Sequence, residues 1–158
     1  MRRNIATLPD SVSELALIRL GIQARGWRAL WFAAKLGKAI DRAVAEALKA
    51  DTGLLHSERF TLGRGHFGLL QYWRSFEELE AWSRQAPHSD WWRDALARIR
   101  TRGDFGIYHE SYLVPRERVE SIYMECDSVG LSAFGKSGEP VGPATTSRGR
   151  LGLGKKLS

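Results

Sequence analysis

Residues 12–131 change their hydrophobic period in a fixed order, and that order most narrows what this chain can fold into. "SELALIRLGIQ", residues 13–23, is nearly all apolar and suits a strand covered on both faces, with Leu15 and Leu17 alternating with Ala16 and Ile18. "WRALWFAAKLGKAIDRAVAEALKAD" follows. It is dominated by good helix formers, with Leu30, Ala34, Gly37, Asp41, Val44 and Leu48 at three/four spacing and Trp31, Ile40 and Ala47 widening the stripe. We expect a helix over 27–50, stopped near Gly53. "LLHSERFTL" and "HFGLLQYW" then read as a hairpin across Gly63-Arg64-Gly65. "RSFEELEAWSR" opens a helix with Ser75 as N-cap and Glu78 three residues later, a capping-box pattern. Pro87 interrupts it, "HSDWWRDALARIR" begins another helix, and Gly103 ends that one. "GIYHESYLV" is the last strand, stopped by Pro115.

Strand, helix, strand, strand, helix pair, strand is the βαββαβ order of a ferredoxin-like α+β unit, an antiparallel sheet with helices on one face. The second face needs cover. In one small unit the natural cover is the sheet of a second copy, so we expect a homodimer that closes a dimeric α+β barrel. Residues 1–11 read as a flexible leader. Residues 132–158, rich in Gly, Ser, Pro, Thr and Lys without periodicity, read as a disordered basic tail.

Composition sets limits on function. The net charge is +6, but residues 136–158 alone contribute +4, so the folded part carries no concentrated basic face and a nucleic-acid partner is not expected. One cysteine, Cys126, excludes an internal disulfide and fits a reducing compartment, the cytoplasm by default. No stretch approaches the ~20 apolar residues of a membrane span. Asp41 and Glu46 interrupt any basic face on the long helix, so no membrane partner is expected either. Six tryptophans are many for this length. Trp73, Trp82, Trp91 and Trp92 fall within 20 residues of one another, which suggests a large aromatic core or the wall of an apolar pocket.

Chemistry must come from few residues. "LGRGHFG" matches G-x-G-x-x-G formally but lies between two strands, where a dinucleotide fingerprint has no meaning. The chain has no HExxH and no CxxC. His66 stands beside a turn and is expected to be exposed; His56 is expected to be structural. His88 follows Pro87 at a helix start, where the macrodipole disfavours the imidazolium and a neutral imidazole can bind iron or zinc. The alternative is that it caps the helix or packs against Trp91 and Trp92. His109 shares a strand face with Phe105, Ile107 and Leu113. It is either a satisfied structural histidine or a general acid/base in an apolar cavity. Glu110, its neighbour, faces the other way.

"YWRSFEELEAWSRQAPHSDWW" with "GIYHESYLVPRERVESIYMEC" resembles the af470-like monooxygenase family of the dimeric α+β barrel superfamily, over about residues 12–131. The same segments are similar to the C-terminal half of the haem-containing aldoxime dehydratases. There a histidine in an "SHPTH"-like segment binds haem iron and one in an "LYHE"-like strand acts on the substrate. The resemblance implies His88 as axial metal ligand, His109 as distal acid/base 21 positions on, and Ser75 as a catalytic group contacting the substrate. On a haem reading, Trp91 and Trp92, with Trp73 and Trp82, could wall the porphyrin, and basic residues such as Arg59 or Arg64 could pair with its propionates. Those enzymes are longer, with two fused repeats, and many short barrel monooxygenases use no cofactor. The expectation is thus a monooxygenase-like oxidoreductase acting on a small apolar substrate. The alternatives are a haem-dependent lyase of aldoxime-dehydratase type and a non-catalytic binding protein.

Overall fold

The computed structural model describes residues 1–126 and 128–153. The chain divides into two compact units, Ala16–Tyr112 and Met1–Leu15 together with the segment from Leu113 onward.

The Ala16–Tyr112 unit is built around a four-stranded sheet. Its strands are β2 (Glu14–Ala24), β3 (Leu54–Gly63), β4 (His66–Trp73) and β5 (Phe105–Pro115), in the order β3-β4-β2-β5. β4 pairs antiparallel with β3 and with β2. This is the ferredoxin-like order expected of βαββαβ, because the crossover helix places the third strand of the motif beside the first. Three helices complete the motif: α1 (Trp27–Lys49), α2 (Phe76–Ser83) and α3 (His88–Arg102). Ser75 Oγ accepts from the Glu78 backbone N–H at 3.2 Å and so caps α2. α3 ends at Gly103, whose φ of 63° suits a residue without Cβ.

The side of α1 that is buried differs from the expected stripe. Ala29, Ala33, Ala43 and Ala47 are buried, whereas Trp31 is 68% exposed and Leu48 is also outside. Small alanines let the helix backbone approach the sheet. Trp27 and Trp31 keep their rings in place through Arg28 and Lys35, at 5.0 and 5.9 Å from the ring centroids. Two clusters form the core on this face. Ala16, Leu54, Trp73 and Leu79 gather at one end of the sheet, and Ala24, Ala29, Ala33, Ala95 and Phe105 at the other.

The opposite sheet face carries polar pairs among its apolar residues. Gly21 and Gly68 stand opposite each other on β2 and β4. A Cβ on Gly21 would lie 2.6 Å from Tyr108 Oη, and one on Gly68 would lie 2.1 Å from the Leu20 carbonyl oxygen. The two glycines thus leave room for the rings of Tyr108 and Phe60 to lie down on the sheet. Between those rings sits the Arg19 guanidinium, 5.1 Å from Phe60 and 5.2 Å from Tyr108. Gly21→Ala should destabilise by about 1–3 kcal/mol through overpacking. Urea unfolding should show that cost largely vanish in a Tyr108→Ala background, because the obstructing atom is then gone. Gly68→Ala should stay costly in either background, because its obstacle is backbone.

The second unit differs from the expected leader and tail. β1 (Arg3–Thr7) pairs antiparallel with β6 (Tyr123–Met124) and with β7 (Lys136–Gly138), giving a three-stranded sheet. Leu8, Val12 and Leu131 are buried within this unit. Two of the three basic groups of 132–153 are ion-paired: Lys136 with Asp10, and Arg150 with Glu120 at 2.7 Å. Arg150 also donates to the Ala144 carbonyl at 2.9 Å, holding the short helix α4 (Ser147–Arg150). The rest of the expected tail, 154–158, lies outside the described residues.

Candidate functional site

Among the described residues, the chemistry-bearing side chains converge on a cavity of about 490 Å³ between the helices and the sheet of the Ala16–Tyr112 unit. That is within the roughly 300–1,000 Å³ of ordinary small-molecule and cofactor sites. The floor is Ile18 and Leu20 of β2 with Leu69 and Gln71 of β4. α1 contributes Leu36 and Ile40, α2 contributes Leu79 and Trp82, and α3 contributes His88, Trp91, Trp92 and Ala95. β5 adds Ile107, His109 and Ser111. These residues meet because β2, β4 and β5 turn alternate side chains to the helix face, while α2 and α3 frame the opening.

His88 is the most constrained of the polar groups. Its Nδ1 lies 2.8 Å from the carbonyl oxygen of Ser83, the last residue of α2. A carbonyl only accepts, so Nδ1 carries the proton and the lone pair is on Nε2. The bond also satisfies one of the carbonyls left open at a helix end. The ring packs between Trp82 and Trp91, at centroid distances of 5.1 and 6.3 Å. It provides no side-chain cap to α3. Burial holds the His88 pKa below the ordinary imidazole value; the Ser83 carbonyl opposes this and His109 adds to it. His88 is therefore a neutral imidazole with one orientated lone pair.

His109 lies on the cavity side of β5 but at an exposed rim, with its ring 5.9 Å from Trp92. Glu110 is on the other face, where its Oε2 accepts from Arg19 at 3.1 Å and from the Tyr112 hydroxyl at 3.3 Å. The cavity brings together His88, Trp91, Trp92 and His109. It does not include Ser75, whose hydroxyl is occupied as the α2 cap. Trp73 is fully buried in the core. Arg59 pairs with Asp41, and Arg64 lies in the hairpin turn; neither lines the cavity. His66 is half-buried and not exposed, 3.0 Å from Tyr108 Oη. Sequence reasoning passed over Gln71. Its signal was a single amide in the row Phe67, Leu69, Trp73, all of which face the helices.

The donor set can be tested against haem. Neutral His88 with a carbonyl-anchored Nδ1–H is the arrangement that orients a metal-binding imidazole, and Trp82, Trp91 and Trp92 give apolar walls. Among the described residues no lysine or arginine lines the cavity to meet a propionate. The residues thus fit haem in part: His88 Nε2 could hold an iron, but the described cavity wall offers no cation to its propionates. Among the described residues there is no group of three or more His, Cys, Asp and Glu side chains able to hold a metal ion on their own. Nor is any helix there long and apolar enough to cross a membrane.

Fold and cavity together define a ferredoxin-like α+β domain with a largely apolar, open-mouthed cavity. The chain belongs to the Monooxygenase af470-like family, whose model matches residues 15–131. Among solved structures it is similar to an aldoxime dehydratase, with a TM-score of 0.65 and 19% identity over 87% of this chain. It is also similar to an aldoxime dehydratase crystallised with butyraldoxime, with a TM-score of 0.63 and 19% identity over 86%. The chain spans only 39% and 38% of the length of those two proteins. At this identity the likeness is one of fold. No curated protein matches the chain significantly.

Proposed function

We propose that this chain is a monooxygenase-like enzyme that takes a small apolar molecule into the cavity under α1, α2 and α3. The observation that carries this reading is the pairing of a largely apolar cavity with two histidines, His88 inside with its pKa lowered by burial and His109 at the rim. The apolar walls desolvate an electron-rich substrate, and His109 takes a proton from it as general base. A reduced substrate of this kind itself supplies the electrons that dioxygen requires. The sheet's second face is offered to another copy of the chain, and a monomeric mass in solution would count against that part.

The His88–Ser83 bond favours one further reading, a haem-dependent enzyme in which His88 Nε2 holds the iron. Haem, when bound, would supply redox or Lewis-acid chemistry in the cavity. His88 then orients and holds, Trp82 and Trp91 exclude water, and His109 moves the proton.

The test is enzyme-dependent oxygen uptake with 1,4-dihydroxynaphthalene, using wild type and His109→Ala, each before and after haemin addition. Losing a general base should lower the rate by about 10²–10⁴-fold. Equal rates in both proteins remove His109 from the mechanism. A wild type that binds the probe but never turns it over marks a binding protein.

A further inference from the structure

Gln71 is 2% exposed, yet it lies in the floor of an apolar cavity. Its Oε1 accepts from the indole Nε1–H of Trp73 at 3.3 Å. An indole nitrogen can only donate, so this bond fixes which end of the amide is oxygen. The Nε2 end therefore keeps both its hydrogens, and no described residue accepts from them. A donor left without a protein partner in an apolar cavity wall is available to whatever fills the space. Among the described residues lining the cavity, Glu80 alone carries a permanent charge, so they offer no counter-ion to an anion.

We propose that Gln71 is the specificity-determining contact of this cavity, donating its carboxamide N–H to a neutral acceptor such as a carbonyl oxygen on an otherwise apolar ligand. This rests on the cavity being the ligand chamber. It adds the ligand class: uncharged, largely hydrocarbon, with one acceptor at the end that reaches the sheet. A site built around such a donor discriminates against a ligand lacking the acceptor, since that ligand leaves the amide unpaired.

Acetophenone and ethylbenzene are matched probes, similar in shape and differing in the carbonyl. Their dissociation constants can be read from tryptophan quenching, since Trp82, Trp91 and Trp92 line the cavity. The ratio of the ethylbenzene constant to the acetophenone constant should fall roughly tenfold from wild type to Gln71→Met, the worth of one good hydrogen bond. An unchanged ratio overturns the proposal. Should Gln71→Met fail to fold, the wild type decides alone. The Gln71 side-chain amide resonances in a ¹⁵N–¹H spectrum should move downfield with acetophenone and not with ethylbenzene. Equal response to both, or to neither while both bind, also overturns it. If neither probe binds the wild type, the cavity reading itself fails and the proposal falls with it.

Discussion

Trp73→Ala should lower the stability of the Ala16–Tyr112 unit by roughly 3–5 kcal/mol, the largest effect expected of any single substitution in the core. Trp73 has no exposed surface. It packs with Ala16, Ala47, Leu54 and Leu79, and its ring lies 5.5 Å from that of Trp82. The alanines around it are too small to close over the void. Truncation also leaves Gln71 Oε1 without its donor inside the fold. Against a typical domain stability of about 5–15 kcal/mol, the loss brings unfolding close to ambient conditions. Urea unfolding followed by circular dichroism measures it. Trp73→Phe keeps most of the volume and isolates the hydrogen bond, so it should cost far less. A shift under about 1 kcal/mol for Trp73→Ala would show that the site collapses freely, contrary to the packing described.

His88→Gln should remove a pH dependence that the wild type possesses. The folded pKa of His88 is lowered by burial, so between that value and the unfolded value near 6.5 the unfolded chain binds more protons. Stability from this group is therefore complete above about pH 6.5. It declines as pH falls towards the folded pKa, at up to roughly 1.4 kcal/mol per pH unit for one proton. Partial exposure of the ring reduces the slope. Urea midpoints of the haem-free protein at pH 8, 7, 6 and 5 should diverge between wild type and His88→Gln only below about 6.5. Parallel profiles would mean that His88 is not held neutral. The same variant should fail to develop a Soret band with haemin if wild type develops one.

Much of the core architecture was legible in the sequence because it is carried by periodicity and punctuation. The Gly63-Arg64-Gly65 turn separates β3 from β4, and the Ser75–Glu78 spacing marks where α2 begins. The buried face of α1 was harder to read. Hydrophobicity ranks Trp31 above Ala33, whereas close approach to a sheet ranks them the other way. The terminal strands were not legible: β1, β6 and β7 have five, two and three residues, too few to show a period. Their pairing joins residues more than 115 positions apart. The site was legible in part. Of the residues lining the candidate cavity, His88, His109, Trp82, Trp91 and Trp92 stand out by local motif and composition. The hold of Ser83 on His88 is made by a peptide carbonyl, which no residue type announces. Gln71 owes its significance to the helices leaving floor uncovered above it, a property of tertiary packing.

The facing glycines of β2 and β4 bear on how this sequence can drift. Where Gly21 meets Gly68, the sheet surface is finished by two rings borrowed from elsewhere, Phe60 of β3 and Tyr108 of β5. The four positions share one volume, so they cannot vary independently. A lineage that gains a side chain at position 21 should also have given up the ring at position 108. Position 68, hemmed in by the Leu20 carbonyl, should stay glycine while the others change around it. In an alignment of relatives this would appear as covariation between 21 and 108, a trace of how two neighbouring strands share one volume.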